Sequence, residues 1–475
     1  MRTIHVVFFV LVLALLCGCG DDGSGDGGSG GAAGGRCPAS DGERLLGELR
    51  STGYVDKPSG LFVLPHPDGW VMATDGRDLF PDGGEEVEGG AVVVWFDASG
   101  AVTRSALVGS GDGLMGLQGG QTDAEGNLYL TGTLLGPLAF GGELLEPADA
   151  GEPFVVALSP AGEVRWATLV PLLGSRGASG LHLVPGEVWA SARFEDGEPR
   201  FGWLRVSSDD GEVLEPVTLA PEVRTFSRVY GSDTLRLATI EPRRRATDPA
   251  VLIDGVEVPR GERGGGEFIA VWESARGAGD VDASGPPPTW ITVIEADGSR
   301  PNQALFARGT RDGGALLGGR YTGTLQLDGE SLELGEGASF LVRLDSEGAL
   351  SWWIKGASGA QDVSRDVLEL DDGRLLVAVA DATDLFSEYP GGSLLGASVP
   401  TPSAGGVVLL SASGEVERAD AIEVPDGAGG TLASARLIMS GDQPLMVFEA
   451  IEEVEEVTPR GCGLERAPFI VEVRL

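Results

Sequence analysis

Short apolar runs broken by small polar turns recur along nearly all of the chain after residue 45. One kind of hairpin reads Leu61-Phe-Val-Leu64, a turn at Asp68-Gly69, then Trp70-Val-Met-Ala73; it returns as Val367-Leu-Glu-Leu370, Asp372-Gly373 and Leu375-Leu-Val-Ala378. Runs rich in β-branched and aromatic residues around Asp-Gly or Gly-Asn predict β-hairpins. A second kind holds a polar turn with a glycine in fourth place: Asp97-Ala-Ser-Gly100, Ser159-Pro-Ala-Gly162, Ser208-Asp-Asp-Gly211, Glu295-Ala-Asp-Gly298, Asp345-Ser-Glu-Gly348 and Ser411-Ala-Ser-Gly414. The strands entering these turns include Ala91–Phe96, Phe154–Leu158, Phe201–Val206, Trp290–Ile294, Phe340–Leu344 and Gly406–Leu410. No stretch after residue 50 keeps a 3.6-residue apolar period, so no helix is expected there.

Two hairpins make one four-stranded unit. Self-similarity at roughly 40–50 residues or more marks propellers and solenoids. The last unit is split between the ends of the chain. Phe469–Val473 is a strand without its following turn, and Ala39-Ser-Asp-Gly42 is such a turn with Leu45–Leu49 after it. A repeat completed by both termini predicts a closed ring: an all-β, single seven-bladed β-propeller over residues 37–475, its edges paired rather than open. Five stretches are expected to leave the ring as loops, namely 83–90, 136–153, 241–288, 389–405 and 452–467.

Composition agrees with frequent chain reversal. Glycine is 76 of 475 residues and proline 28, which suits turns that need positive or fixed φ. The formal charge is −38. Such a surface repels phosphate backbones, so nucleic acid is excluded as a partner, and self-repulsion favours a monomer.

The first residues have a different logic. One positive charge at Arg2 precedes the unbroken apolar run Val6–Leu16, which has the length of a secretory h-region and is too short to span a bilayer as a helix. Leu16-Cys17-Gly18-Cys19 resembles the lipobox of bacterial lipoproteins, which implies a signal peptide over 1–18 and acylation of Cys19. The stretch 20–35 lacks any large apolar side chain, so residues 19–36 are read as a flexible tether of about 5–6 Å × √n. Export places Cys37 and Cys462 where disulfides persist. A closed ring makes their strands neighbours, so a Cys37–Cys462 bond is expected, with two free thiols as the alternative.

Ser159-Pro-Ala-Gly-Glu-Val-Arg-Trp166, Asp345-Ser-Glu-Gly-Ala-Leu-Ser-Trp352 and Asp123-Ala-Glu-Gly-Asn-Leu-Tyr-Leu-Thr-Gly-Thr133 resemble SBBP-type β-propeller repeats of bacterial lipoproteins. The likeness is best near 117–170 and 305–355. It implies a secreted or lipid-anchored propeller in the cell envelope, outer membrane included, and it carries no catalytic motif. A weaker likeness, to the propeller lipoprotein of outer-membrane protein assembly, lacks the Gly-x-x-x-Trp blade ends in most units.

The chain carries few motifs of known chemistry. His66 and His182 are the only histidines after His5 and have no ligand partners nearby in sequence. Gly27-Gly-Ser-Gly-Gly31 has no strand before it or helix after it, so it is not a nucleophile elbow. Asp280-Val-Asp282 opens like a calcium loop, but Ile291 stands where the bidentate carboxylate belongs. The nine tryptophans fall inside strands and are expected to pack between blades. No catalytic, cofactor or metal residue is assigned, and no cofactor is expected. The expected role is a non-enzymatic scaffold or binding module, held to the membrane by its lipid and meeting a protein partner through its loops. Envelope assembly, and a hydrolase or lyase using channel carboxylates, are the alternatives.

Overall fold

In the computed structural model the middle strands of each unit are buried on both faces, and this sets how the sheets stack. Residues 91–96 of the strand Ala91–Asp97 are all buried, as their unbroken apolar run requires, whereas exposure recurs along the next strand, Val102–Val108. Val92, Val94 and Phe96 pack in one apolar cluster, and Ala91, Val93 and Trp95 in another. The period-two alternation of a strand thus serves two different neighbours. The described residues lie between 46 and 473, excluding short turns and the longer stretches 241–251, 258–267, 275–287 and 380–402.

Every described element is a strand, arranged as small sheets in a propeller-like manner. Five sheets are four-stranded and antiparallel. The first sheet runs Phe62–His66, Gly69–Asp75, Ala91–Asp97, Val102–Val108. The second takes Met115–Thr122, Leu128–Leu134, Glu152–Leu158 and Val164–Leu169, and the third Ala178–Val184, Glu187–Phe194, Arg200–Ser207 and Val213–Thr218. The penultimate sheet contains Ser364–Glu369, Leu375–Val379, Ser403–Leu410 and Val416–Glu423. The terminal sheet contains Leu432–Ser440, Gln443–Thr458, Gly461–Val473 and, from the other end of the chain, Leu46–Ser51. There Leu46 lies opposite Val473 and Ser51 opposite Phe469.

Residues 223–358 correct the expected count. They form one nine-stranded sheet, so five separate blades are present and not seven. The cause is the hairpin Ala315–Leu327/Glu330–Leu344, which runs on past its bulge at Tyr321–Gly323. Its far half comes beside Pro288–Ala296 and adds the pairs Glu295–Gln326 and Ala296–Leu325. Val229–Tyr230 adds a second link, parallel to Ala307–Arg308.

Three expected loops also contain ladders. Phe268–Ser274, inside the supposed 241–288 excursion, pairs with Leu235–Ile240 on one side and Pro288–Ala296 on the other. Pro288–Ala296 therefore follows a third strand, and Glu295-Ala-Asp-Gly298 is not the counterpart of the other polar turns. Residues 452–467 prolong the hairpin Gln443–Thr458/Gly461–Val473, which puts Cys462 in a strand opposite Val457 and not in a loop. Part of 136–153 is a small hairpin too, Leu138–Phe140 with Glu143–Leu145.

A repeated indole–glycine contact joins neighbouring units. A Cβ on Gly162 would stand 2.9 Å from the Trp95 ring, one on Gly211 2.7 Å from Trp166, one on Gly348 2.7 Å from Trp290, and one on Gly414 2.8 Å from Trp352. Each glycine belongs to a polar turn, and each indole to the unit before it. Only a residue without a side chain lets the turn lie flat on the ring. The Trp166 N–H donates to the Ser208 carbonyl at 3.1 Å and the Trp352 N–H to the Ala412 carbonyl at 3.0 Å. The Thr168 and Thr292 hydroxyls donate to the carbonyls of Gly211 and Gly348. Trp70 instead stacks on Phe96 within its own sheet, ring centroids 3.7 Å apart, in a cluster that includes Ile438, Leu445 and Val447 of the terminal sheet.

Candidate functional site

Buried charge is the best pointer to a site in a chain whose local motifs are silent. It gathers where three sheets meet. Asp366, on the edge strand Ser364–Glu369, is 2 % exposed. One carboxylate oxygen accepts the Val367 N–H and the other the Leu437 N–H, both at 2.9 Å. Leu437 lies on another edge strand, where alternate N–H groups point away from the ladder and need an acceptor. Arg308, on Asn302–Gly309 of the nine-stranded sheet, comes within 3.6 Å of the same carboxylate and donates to the Val367 carbonyl. One side chain therefore ties three sheets together.

A second knot sits at the turns ending these strands. Glu369 accepts the Arg311 N–H at 2.7 Å and the Arg343 guanidinium at 3.2 Å. The same Arg343 nitrogen reaches Asp312 at 3.1 Å. Burial pushes the Asp312 carboxyl up, but the Thr310 hydroxyl and Arg343 outweigh it and leave it below the usual aspartate range. Arg311 meets Asp371 at the surface. In the third sheet Arg205 makes a two-pronged pair with Glu187, at 2.8 and 2.6 Å, and Glu187 also accepts the Trp189 N–H.

His66 occupies the joint of the first two sheets. Its side chain is 3 % exposed, and Nδ1 accepts the Asp68 N–H at 3.2 Å. Burial holds its pKa below the ordinary value; Asp68 pulls it up, Arg104 lowers it further, and the Gly126 backbone and Asp123 raise it. His182 lies in Ala178–Val184 opposite Trp189.

Chemically, these carboxylates are engaged as acceptors of backbone N–H groups and partners of arginine. That is an arrangement for fixing sheets to each other. Asp366, Glu369, Arg308 and Arg343 were not singled out by sequence spacing, since they come from segments dozens of residues apart. A signal did exist. Arg343 and Arg205 each interrupt an apolar strand two residues before the turn-opening Asp345 and Ser207, and a charge in a strand buried on both faces needs a buried partner. Cys19, Cys37, the tether and Asp280–Asp282 lie outside the described residues. Among the described residues no three His, Cys, Asp or Glu side chains come together as a metal site.

No protein-family model matches the chain, and no curated protein matches it significantly. Among solved structures it is similar to a protein of unknown function from Dyadobacter fermentans, at 12% identity and TM-score 0.38, over 90% of this chain and 99% of that one. It is similar to a quinohemoprotein alcohol dehydrogenase from Pseudomonas putida, at 9% identity and TM-score 0.37, over 90% of this chain and 76% of the other. It is also similar to a polysaccharide lyase, at 10% identity and TM-score 0.39, over 88% and 90%.

Proposed function

We propose that the chain is a lipid-anchored, extracytoplasmic β-propeller that serves as a scaffold or binding module. The observation that carries this reading is the use of Asp366 and Glu369. Both hold backbone N–H groups and arginines of neighbouring sheets, which favours a structural role for them over carboxylate catalysis. In this reading the sheets form a closed ring, which the pairing of Leu46–Ser51 with Phe469–Val473 supports.

The anchor rests on Leu16-Cys17-Gly18-Cys19. Cells fed an alkynyl fatty acid are expected to label the wild-type protein, with no labelling of Cys19→Ala and release of that variant from the membrane fraction. Labelling that survives in Cys19→Ala removes the anchor from this reading. Chemical cross-linking on intact membranes, followed by identification of the captured species, tests the binding role.

The Cys37–Cys462 bond makes a stringent demand on the chain. Cys462 and Val473 are separated by roughly 36 Å of strand, and Leu46 lies at the Val473 end. Residues 37–46 reach at most about 32 Å, to which a disulfide adds about 6 Å, so the bond is just within reach of the chain. The expected result is no free thiol in the mature, unreduced protein. A count of two assigns both cysteines as unpaired.

A further inference from the structure

The joint between the first two sheets is tied at their turns. The Thr122 hydroxyl donates to the Pro65 carbonyl across it. Beside that link the His66 ring fills the space over Gly126, where a Cβ would stand 3.0 Å from Nε2. Nδ1 accepts the Asp68 N–H, so the neutral ring carries its proton on Nε2, which is buried against the Gly126 backbone.

The charged groups facing this ring are few. Asp68, from its own turn, has its carboxylate 4.0 Å from Nδ1 and is exposed to solvent. Arg104, from the outermost strand of the same sheet, lies over Trp95 with its guanidinium carbon 4.3 Å from the ring centroid. Asp123, from the turn of the second sheet, is held by the Asn127 backbone and side chain at 2.7 Å and by the Tyr129 hydroxyl at 3.2 Å, which in turn faces Arg165.

We propose that His66 is a proton-operated latch on the joint between the first two sheets. A protonated imidazole has two donors and no acceptor. Adding a proton at Nδ1 removes the acceptor of the Asp68 N–H and places a second positive charge near Arg104. The exposed Asp68 carboxylate draws the charged ring outward, away from Gly126, and the two turns part.

The sign follows from the direction of the shift. Burial lowers the folded-state pKa of His66, so the unfolded or opened chain binds the proton more tightly. The latch is fully closed above the ordinary histidine value of about 6.5 and weakens as pH falls below it. This device does not depend on the N-terminal anchor.

Hydrogen exchange of the full-length protein at pH 7.5 and 5.5, corrected for intrinsic rates, tests it. Residues 62–70 and 120–127 are expected to exchange faster at the lower pH by at most about tenfold, the limit set by the one unit between pH 5.5 and the ordinary histidine value of about 6.5. Residues 364–370 and 437–446 should not change. In His66→Gln the pH response at both turns should vanish. Equal acceleration in every sheet, or an unchanged response in His66→Gln, overturns the proposal. Should that variant not fold, the proton resonance of His66 in the wild-type protein decides: a midpoint below about 6.5 supports the latch, and one at or above it refutes the latch.

Discussion

Replacing Asp366 with Ala is expected to destabilise the protein by about 3–5 kcal/mol, the usual cost of removing one partner from a buried, hydrogen-bonded charge network. Three losses coincide. The Leu437 N–H, on a free strand edge, loses its acceptor. The Val367 N–H loses its side-chain acceptor. Arg308, 16 % exposed at its side chain, loses the carboxylate it faces. Asp366→Asn keeps one carbonyl acceptor and is expected to cost less, because only one N–H then goes unanswered. Urea unfolding followed by tryptophan fluorescence measures both. A loss under about 1 kcal/mol for Asp366→Ala would show that water replaces the carboxylate at little cost and that the three edges are not held by it.

A methyl group on Gly348 is expected to cost about 2–4 kcal/mol, from left-handed backbone strain and overpacking together. Gly348 has φ of +80°, and its Cβ would stand 2.5 Å from the Thr292 hydroxyl and 2.7 Å from the Trp290 ring. Neither neighbour is free to withdraw. Trp290 is buried in the core of the nine-stranded sheet, and the Thr292 hydroxyl already donates to the Gly348 carbonyl. Gly335 is the control: its φ is +64°, but nothing lies within 4 Å of its Cβ position. Gly335→Ala should therefore show the backbone strain alone. The double substitution Trp290→Leu with Gly348→Ala should cost less than the sum of its parts, since the smaller side chain vacates the space the methyl group needs. Thermal and urea unfolding of these variants give the comparison. Equal costs at Gly348 and Gly335 would refute the indole contact as the source.

Much of this architecture is readable one hairpin at a time. Asp-Gly and Ser-x-x-Gly turns between apolar runs place strand ends well, because a turn that needs positive φ advertises its glycine locally. The recurring tryptophans were legible as packing residues for the same reason. The glycine each one meets is less obvious, since it sits in a turn of the next unit. Reading failed where strands are joined at a distance. Glu295-Ala-Asp-Gly298 looks like the other polar turns, yet its preceding strand is the fourth of its set. Residues 452–467 read as a loop on sequence alone, but the pairs Glu452–Glu465, Glu453–Leu464, Val457–Cys462 and Thr458–Gly461 carry the ladder on past a register shift.

By itself the chain determined most strands, most turn positions and the split of its last unit between both ends, because period-two burial and turn chemistry are local properties of consecutive residues. Folding in three dimensions decided which strands share a ladder, how many sheets stay separate, and which charges meet. Asp366, Arg308 and Leu437 belong to three different sheets, and Glu369 and Arg343 to two, so their encounter exists only once those sheets are stacked. An isolated acidic or basic side chain carries no local mark of a partner many residues away, and its cost when buried is offset only by the contacts that stacking supplies.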